Sequence, residues 1–341
     1  MATSQHVTPS ASPVYPRPLS IFQRIYYFSR IHFFKSLTTT YFNILRLPGL
    51  GDPSVLPTFT EVYPCQPKLT NRIFIPKSYK PDDAPLPLYL DIHGGGFALA
   101  CPFVDDKFCS YFSDENKILV ISLDYPKAPS NPYPAGVRAV ADLVKAILKD
   151  DSLPFDRKKV AIGGFSAGAN LSLAATQDDS LQGKVGGVVG FYPPTNWLTT
   201  VDWKLSTRPK DALPDPLLND VPTFDWGYFN ADQDLRDPQA SVAFAPREKL
   251  PPKICLIGCE LDMLCRDSEI MAERLASEGS GQRSGTSEVW EQNGVRWEKI
   301  LGEEHGFDLI PAQGEEKVRV DLRGRKMHQD VAEWLFREVY V

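Results

Sequence analysis

Apolar and polar positions fall into a regular rhythm from about residue 70. Arg72-Ile73-Phe74-Ile75 reads as a strand, and Leu88-Tyr89-Leu90-Asp91-Ile92 as a short apolar run ending in His93-Gly94-Gly95-Gly96. The run Ile118 to Leu123 has the pattern of a strand buried on both faces. Between Gly136 and Leu148, Val137, Val140, Ala141, Val144, Ile147 and Leu148 recur at helical spacing. Val160-Ala161-Ile162 precedes a glycine-rich turn and a second helix. Val185 to Phe191, Ile254 to Ile257 and the alternating Val295 to Ile300 read as further strands. Helices are expected from about Asp267 to Ala276 and at the end of the chain, to about Glu338. Strands alternating with helices predict a mainly parallel sheet covered on both faces.

Four stretches depart from this rhythm. Residues 195 to 250 set Trp197, Trp203, Phe224, Trp226, Tyr228 and Phe229 among many prolines and aspartates, which reads as an inserted lid. Residues 278 to 288, EGSGQRSGTSE, read as a mobile loop. Residues 1 to 18 are rich in Ser, Thr and Pro without periodicity and read as a flexible tail. Ile21 to Leu47 is different again, being aromatic and basic. Arg24, Arg30 and Lys35 interrupt the apolar core that a secretory signal would need. A mitochondrial presequence shares its Arg-rich, acid-free composition. The favoured reading is an amphipathic helix packed over the body, with contact to a membrane surface as an added role.

The chain has 341 residues, 43% of them hydrophobic and 23% charged, which suits one large α/β domain or a domain with a lid. No apolar run reaches the ~18 residues of a membrane span. The net charge of −6 argues against a nucleic-acid partner and disfavours polyanionic substrates, leaving neutral ones open. Five Lys and Arg, and no Asp or Glu, lie before Asp52, so the body is more acidic than the whole. The six cysteines form no C-x-x-C pair, and no nearby His completes a metal set around Cys255, Cys259 and Cys265. Those three read as small buried apolar residues, with no metal, no cofactor and a reducing, cytoplasmic compartment expected for the chain.

Gly164-Phe165-Ser166-Ala167-Gly168 carries the chemistry. It stands between a strand and a helix, where a sharp turn exposes the Ser hydroxyl and the glycines relieve crowding. Upstream, His93-Gly94-Gly95-Gly96-Phe97 offers backbone N–H groups to an oxyanion, together with the N–H of Ala167. A phosphate loop would need a following Gly-Lys-Ser/Thr, which is missing. A Ser nucleophile needs a base. Of the five histidines, His6 is in the tail, His32 in the N-terminal helix, His93 in the glycine loop and His328 in the last helix. His305, just after the last strand, remains. For the acid, Asp262 is favoured over Glu260 and Asp267 by its place between Ser and His and at a strand end.

These residues together resemble the hormone-sensitive-lipase-like branch of the α/β-hydrolases, over about residues 70 to 338. The resemblance rests on His93-Gly94-Gly95-Gly96-Phe97, on Gly164 to Asn170, on Asp262 with Arg266-Asp267, and on His305-Gly306-Phe307. It implies an α/β-hydrolase fold with an eight-stranded, mostly parallel sheet, helices on both faces and a helical cap. The implied division is a tail at 1–18, N-terminal cap helices at 19–50, a core at 51–194 and 251–341, and a cap insertion at 195–250. It further implies ester hydrolysis through an acyl-enzyme. Ser166 is the nucleophile, His305 the base and Asp262 its orienting acid, with Gly95, Gly96 and Ala167 forming the oxyanion hole. Phe97, Phe165 and Trp197 are the expected substrate-binding side chains, and the expected partner is a small apolar ester. The alternatives are a biosynthetic enzyme using the same site and a silent ligand receptor, which would be expected to lose the Ser or the His. The chain departs from the family in having Phe165 before the nucleophile, Ala169 three residues after it, Pro126 after Asp124-Tyr125, and Met263 after the acid where proline is common.

Overall fold

The computed structural model describes residues 19–47, 52–309 and 312–341, together with the backbone of Val14–Tyr15. The rest of the expected tail lies outside the described residues. The strands are β1 (Val14–Tyr15), β2 (Phe59–Glu61), β3 (Asn71–Phe74), β4 (Leu86–Ile92), β5 (Leu119–Leu123), β6 (Phe155–Phe165), β7 (Gly187–Phe191), β8 (Gln233–Asp234), β9 (Lys253–Cys259), β10 (Ser284–Gly285), β11 (Val289–Gln292) and β12 (Val295–Ile300). The helices are α1 (Ile21–Leu45), α2 (Asp106–Asn116), α3 (Ala135–Ile147), α4 (Ala167–Ala175), α5 (Val201–Ser206), α6 (Val221–Tyr228), α7 (Cys265–Ser277) and α8 (Gly314–Glu338).

One sheet runs in the order β10-β11-β12-β9-β7-β6-β4-β5-β3-β2. Its six central strands, from β12 to β5, are all parallel, and antiparallel strands close both edges. The sheet thus has ten strands, two more than the eight expected. The additional pair is β10 and β11, and β10 arises from the segment read as a mobile loop. The cause is local: Asn293 and Gly294 both take positive φ, 51° and 77°. This is the two-residue turn whose twist suits a hairpin, and it folds β11 back on β12 and brings β10 to the edge.

The sheet's two faces carry separate apolar layers. One packs against α3, α4 and α7 through residues such as Val140, Leu171 and Met271. The other packs against α2 and α8 through Phe108, Phe112, Val331 and Trp334. Strand residues alternate between them, so Ile162 and Val188 face the first layer while Ala161, Phe165 and Phe191 face the second.

The helix expected near residue 21 is α1, opened by a capping box in which Gln23 and Ser20 satisfy each other's backbone N–H groups. It is less amphipathic than expected. Ile31 is fully buried, yet Phe22 and Phe33 on the outer side are 80% and 63% exposed. Among the described residues, no helix is long and apolar enough to cross a membrane.

α1 packs on α6, which belongs to the stretch 195–250 read from the sequence as an insertion. Arg30 bonds the Asn219 carbonyl, the Thr223 hydroxyl and the Asp220 carboxylate (2.6 Å). Tyr27 stacks on Trp226, and a side chain at Gly227 would overlap Ile31. The insertion is also fixed to the core. Lys204 Nζ lies 3.1 Å from Asp267 on α7 in a buried ion pair, and the Thr199 hydroxyl donates to the same carboxylate. Asn170 sits in the buried α4, where its amide donates to the carbonyls of Pro194 and Ala240. It thereby ties that helix to the chain just before residue 195 and to residue 240 within the stretch.

Candidate active site

Strand β6 ends in Phe165, and the chain turns at once into α4. Ser166 sits at that turn with φ 52° and ψ −117°, a strained conformation for a residue with a side chain. Packing enforces the turn. A Cβ at Gly164 would lie 2.3 Å from the Ile92 carbonyl oxygen, and one at Gly168 only 1.9 Å from it. These glycines let α4 and the elbow approach the end of β4 to backbone contact. Ala169 adds a methyl where glycine is usual, and Gly190 on the neighbouring strand leaves room for it. A direct consequence concerns Gly168→Ala. The added methyl has only rigid backbone to displace, so the variant is expected in the insoluble fraction or with a melting temperature lowered by many degrees. A soluble protein with unchanged melting would show that the elbow is not packed as described.

The structure brings Ser166, His305 and Asp262 together from three loops at strand ends. His305 Nε2 lies 2.9 Å from Ser166 Oγ, and His305 Nδ1 lies 2.7 Å from Asp262 Oδ2. Asp262 is buried, and its other oxygen accepts the Leu264 N–H at 2.8 Å. The two rival acids are occupied elsewhere: Glu260 accepts the Gly302 N–H, and Asp267 pairs with Lys204. Burial lowers the affinity of the His305 imidazole for a proton. The charge and hydrogen bond of Asp262 oppose this, with Asp215 and Asp308 adding to them, and the net result is a pKa above the ordinary histidine value.

Gly95 and Gly96 have φ of 113° and 57°, conformations that favour glycine. Their loop runs beside the nucleophile, since a Cβ at Gly94 would lie 3.5 Å from that of Ser166. Ala167 is the first residue of α4, at the helix end where backbone N–H groups are free to meet negative charge. His93 is buried in the same loop, stacked on Tyr125, and burial lowers its pKa to about 4.

The three aromatic residues expected at the substrate divide. Phe97 and Trp197 lie 6.0 Å apart between ring centres, joined by Tyr228, whose ring stacks on Phe97 at 3.7 Å. Phe224, also from the insertion, covers Gly96 so closely that a side chain there would strike its ring. Phe165 is placed otherwise. It is fully buried on the opposite face of the sheet, stacked on Phe191 at 4.6 Å and edge-on to Phe108. Residues adjacent in a strand point to opposite faces, so Phe165 is core rather than pocket floor.

Several partners of the site carry no motif in the sequence. Tyr192 packs edge-on against His305 at 4.8 Å and donates its hydroxyl to Asp308. Asp308 in turn pairs with His328 Nε2 at 2.9 Å. His328 is therefore a buried structural histidine, its pKa lowered by burial to about 3. All six cysteines are free, and among the described residues no group of three or more His, Cys, Asp or Glu is arranged to hold a metal ion.

A family model described as the alpha/beta hydrolase fold matches residues 89–292, more than half of the chain. The chain therefore belongs to the α/β-hydrolases, in the hormone-sensitive-lipase-like branch. It is 27% identical over 231 residues to an AB hydrolase superfamily protein of Schizosaccharomyces pombe, an alignment covering 61% of this chain and 63% of the relative. It is 28% identical over 192 residues to an esterase of Acinetobacter venetianus, covering 55% and 60%. The matched region thus spans about three fifths of each curated relative. Among solved structures, a hyperthermophilic esterase from Pyrobaculum calidifontis superposes with a TM-score of 0.70 at 23% identity, over 95% of this chain and 100% of the other, a likeness of fold.

Proposed function

We propose that the chain hydrolyses carboxylic esters of neutral, apolar small molecules with short to medium acyl groups, through an acyl-enzyme on Ser166. The observation that carries this reading is the relay Ser166–His305–Asp262, held at 2.9 and 2.7 Å on a strained elbow. Retention of both Ser166 and His305 weighs against a silent receptor. An esterase among the relatives supports the reaction class.

In the first half-reaction, Ser166 Oγ bonds to the ester carbonyl carbon while its proton passes to His305 Nε2. The carbonyl oxygen takes up the displaced electron pair, and the N–H groups of Gly95, Gly96 and Ala167 stabilise the charge. The bond to the alcohol oxygen then breaks, and His305 returns the proton to the departing alcohol. In the second half, water is deprotonated by His305 and attacks the acyl carbon, releasing the acid and restoring Ser166. Asp262 holds Nδ1–H throughout and stabilises the imidazolium. The aromatic walls from Phe97, Trp197, Tyr228 and Phe224 favour an apolar group over a charged one. Turnover of nitrophenyl esters of increasing chain length tests the proposal. Release of nitrophenol without free acid would instead support the biosynthetic, acyl-transferring alternative.

The pH profile follows from the site's charges. His305 must be neutral to act as base, and anionic neighbours stabilise its protonated form. Activity is therefore absent at low pH and rises through one ionisation, with kcat/KM reaching half its maximum above the free-histidine value of 6.5. A midpoint at or below that value, measured on a short ester, would contradict the arrangement.

A further inference from the structure

We propose that Arg208 and Asp215, an ion pair carried by the insertion, position the candidate catalytic acid by holding the two peptide groups on either side of the Asp262 Cα. Arg208 Nε donates to the carbonyl oxygen of Leu261 at 2.7 Å, and Asp215 Oδ2 accepts the N–H of Met263 at 2.7 Å. The first contact fixes the peptide entering Asp262, and the second fixes the peptide leaving it.

The pair is built for this task. Its two side chains are 7% and 0% exposed, and Arg208 Nε lies 3.4 Å from Asp215 Oδ2. Each is also anchored within the insertion, Arg208 on the Leu213 carbonyl and Asp215 on the Leu217 N–H. The core holds the other ends of the same two peptides. Asp262 N–H donates to the Cys259 carbonyl at 3.1 Å, and the Asp262 carbonyl accepts Cys265 N–H at 3.1 Å. Each peptide of the acid is thus gripped from the core on one side and from the insertion on the other.

Residue 263 gives this a basis in the sequence. Proline, common after the acid in the resembled family, has no N–H and could not bond Asp215. Met263 supplies that donor, so the departure noted in the sequence coincides with an acceptor brought by the insertion. Two peptides held rigidly keep Asp262 Oδ2 at 2.7 Å from His305 Nδ1, and small displacements of such groups are costly in rate.

Asp215 also acts through charge. The acidic groups that face His305 are Asp262 from the loop after β9, Asp215 from the insertion and Asp308 from its own loop. Tyr192 packs on the ring, Arg208 partly offsets Asp215, and Glu303 and His328 lie beyond Asp308. Removing the Asp215 charge must ease loss of the His305 proton.

The inference rests on the proposed triad, and the experiment separates the two. Asp215→Asn, Asp215→Ala and Asp262→Asn are compared for melting temperature, for fluorophosphonate labelling and for kcat and KM on a short ester from pH 5 to 9. Asp215→Asn keeps an acceptor, so its main expected effect is an acid limb moved to lower pH. Asp215→Ala should show that shift together with a kcat lower by on the order of tenfold or more at little change in KM. A purely structural role would lower the melting temperature and the fraction of labelled enzyme without moving the limb. If folded, fully labelled Asp215→Ala keeps the parent kcat and pH limb while Asp262→Asn is impaired, the positioning role is overturned. If Asp262→Asn is itself unimpaired, the triad reading fails and this inference with it. Should Asp215→Ala not fold, the position of the limb in Asp215→Asn decides.

Discussion

Ser166→Ala should fold like the parent chain, take up no fluorophosphonate and lose ester turnover by a factor on the order of 10⁴ or more. The expected size follows from what the residue does in the proposed reaction. Without the hydroxyl no acyl-enzyme forms, and His305 is left to activate water in a site shaped for a different attack. Folding should survive because the elbow is held by backbone contacts around Gly164 and Gly168 and by the Ser166 N–H on the Phe191 carbonyl at 2.9 Å, none of which uses the hydroxyl. Mass spectrometry of the labelled parent should place the adduct on the peptide containing Ser166. An adduct on Ser166→Ala of the parent's extent would sink the nucleophile assignment.

Deleting residues 1 to 47 should yield an aggregation-prone protein with a markedly lower melting temperature. Any soluble fraction should lose discrimination between bulky and short esters. α1 buries Ile31 against α6, stacks Tyr27 on Trp226 and sets Phe34 6.5 Å from Phe224. It also places Phe42 against Phe103 and bonds Lys35 Nζ to the Ala128 carbonyl at 2.8 Å. Full burial of one large apolar side chain such as Ile31 contributes roughly 1.5–3 kcal/mol, and the half-buried Tyr27, Phe34 and Phe42 add smaller amounts, so the loss is a large fraction of a domain's stability. Selectivity enters through Phe224, which α6 presses onto Gly96 of the glycine loop. With α1 gone, α6 has lost its outer support and the aromatic wall can move away. The comparison is a melting curve together with the ratio of kcat/KM for a bulky and a short ester. If both match the full chain, residues 19 to 47 are no part of a cap, and the targeting interpretation returns.

The parts of the site legible in the sequence share a property: each is dictated by short-range geometry. Gly164, Ser166 and Gly168 announce a strand-to-helix elbow because only glycine tolerates backbone approach at the flanking positions. His305 emerges by elimination among five histidines, and Asp262 by its place after a strand. The hairpin at β11 and β12 was equally local. Its signal, Asn293-Gly294 between two alternating runs, stands in the sequence just after the Gly- and Ser-rich segment read as a mobile loop. Helix α2 escaped for a different reason. Its Phe108, Cys109 and Phe112 form a narrow apolar stripe among acids and serines, and the helix owes its place to packing under β4 and β5.

By itself, then, the sequence determined the alternation of strands and helices, the elbow, the glycine loop and the order Ser, Asp, His along the chain. Those features depend on neighbours a few residues away, where spacing and steric permission act directly. Only the tertiary structure decided which face of the sheet each strand residue meets. Period-two alternation fixes that Phe165 and Ser166 part company, but not which of them turns toward the insertion. Sequence order favours Asp262, but its contact with His305, and the engagement of Glu260 and Asp267 elsewhere, depend on which loops converge across the strand ends. The tertiary structure alone brought Arg208 and Asp215, about fifty residues upstream, onto the peptides of Asp262. Such contacts join distant stretches of chain through burial and charge, and no local pattern of residues encodes them.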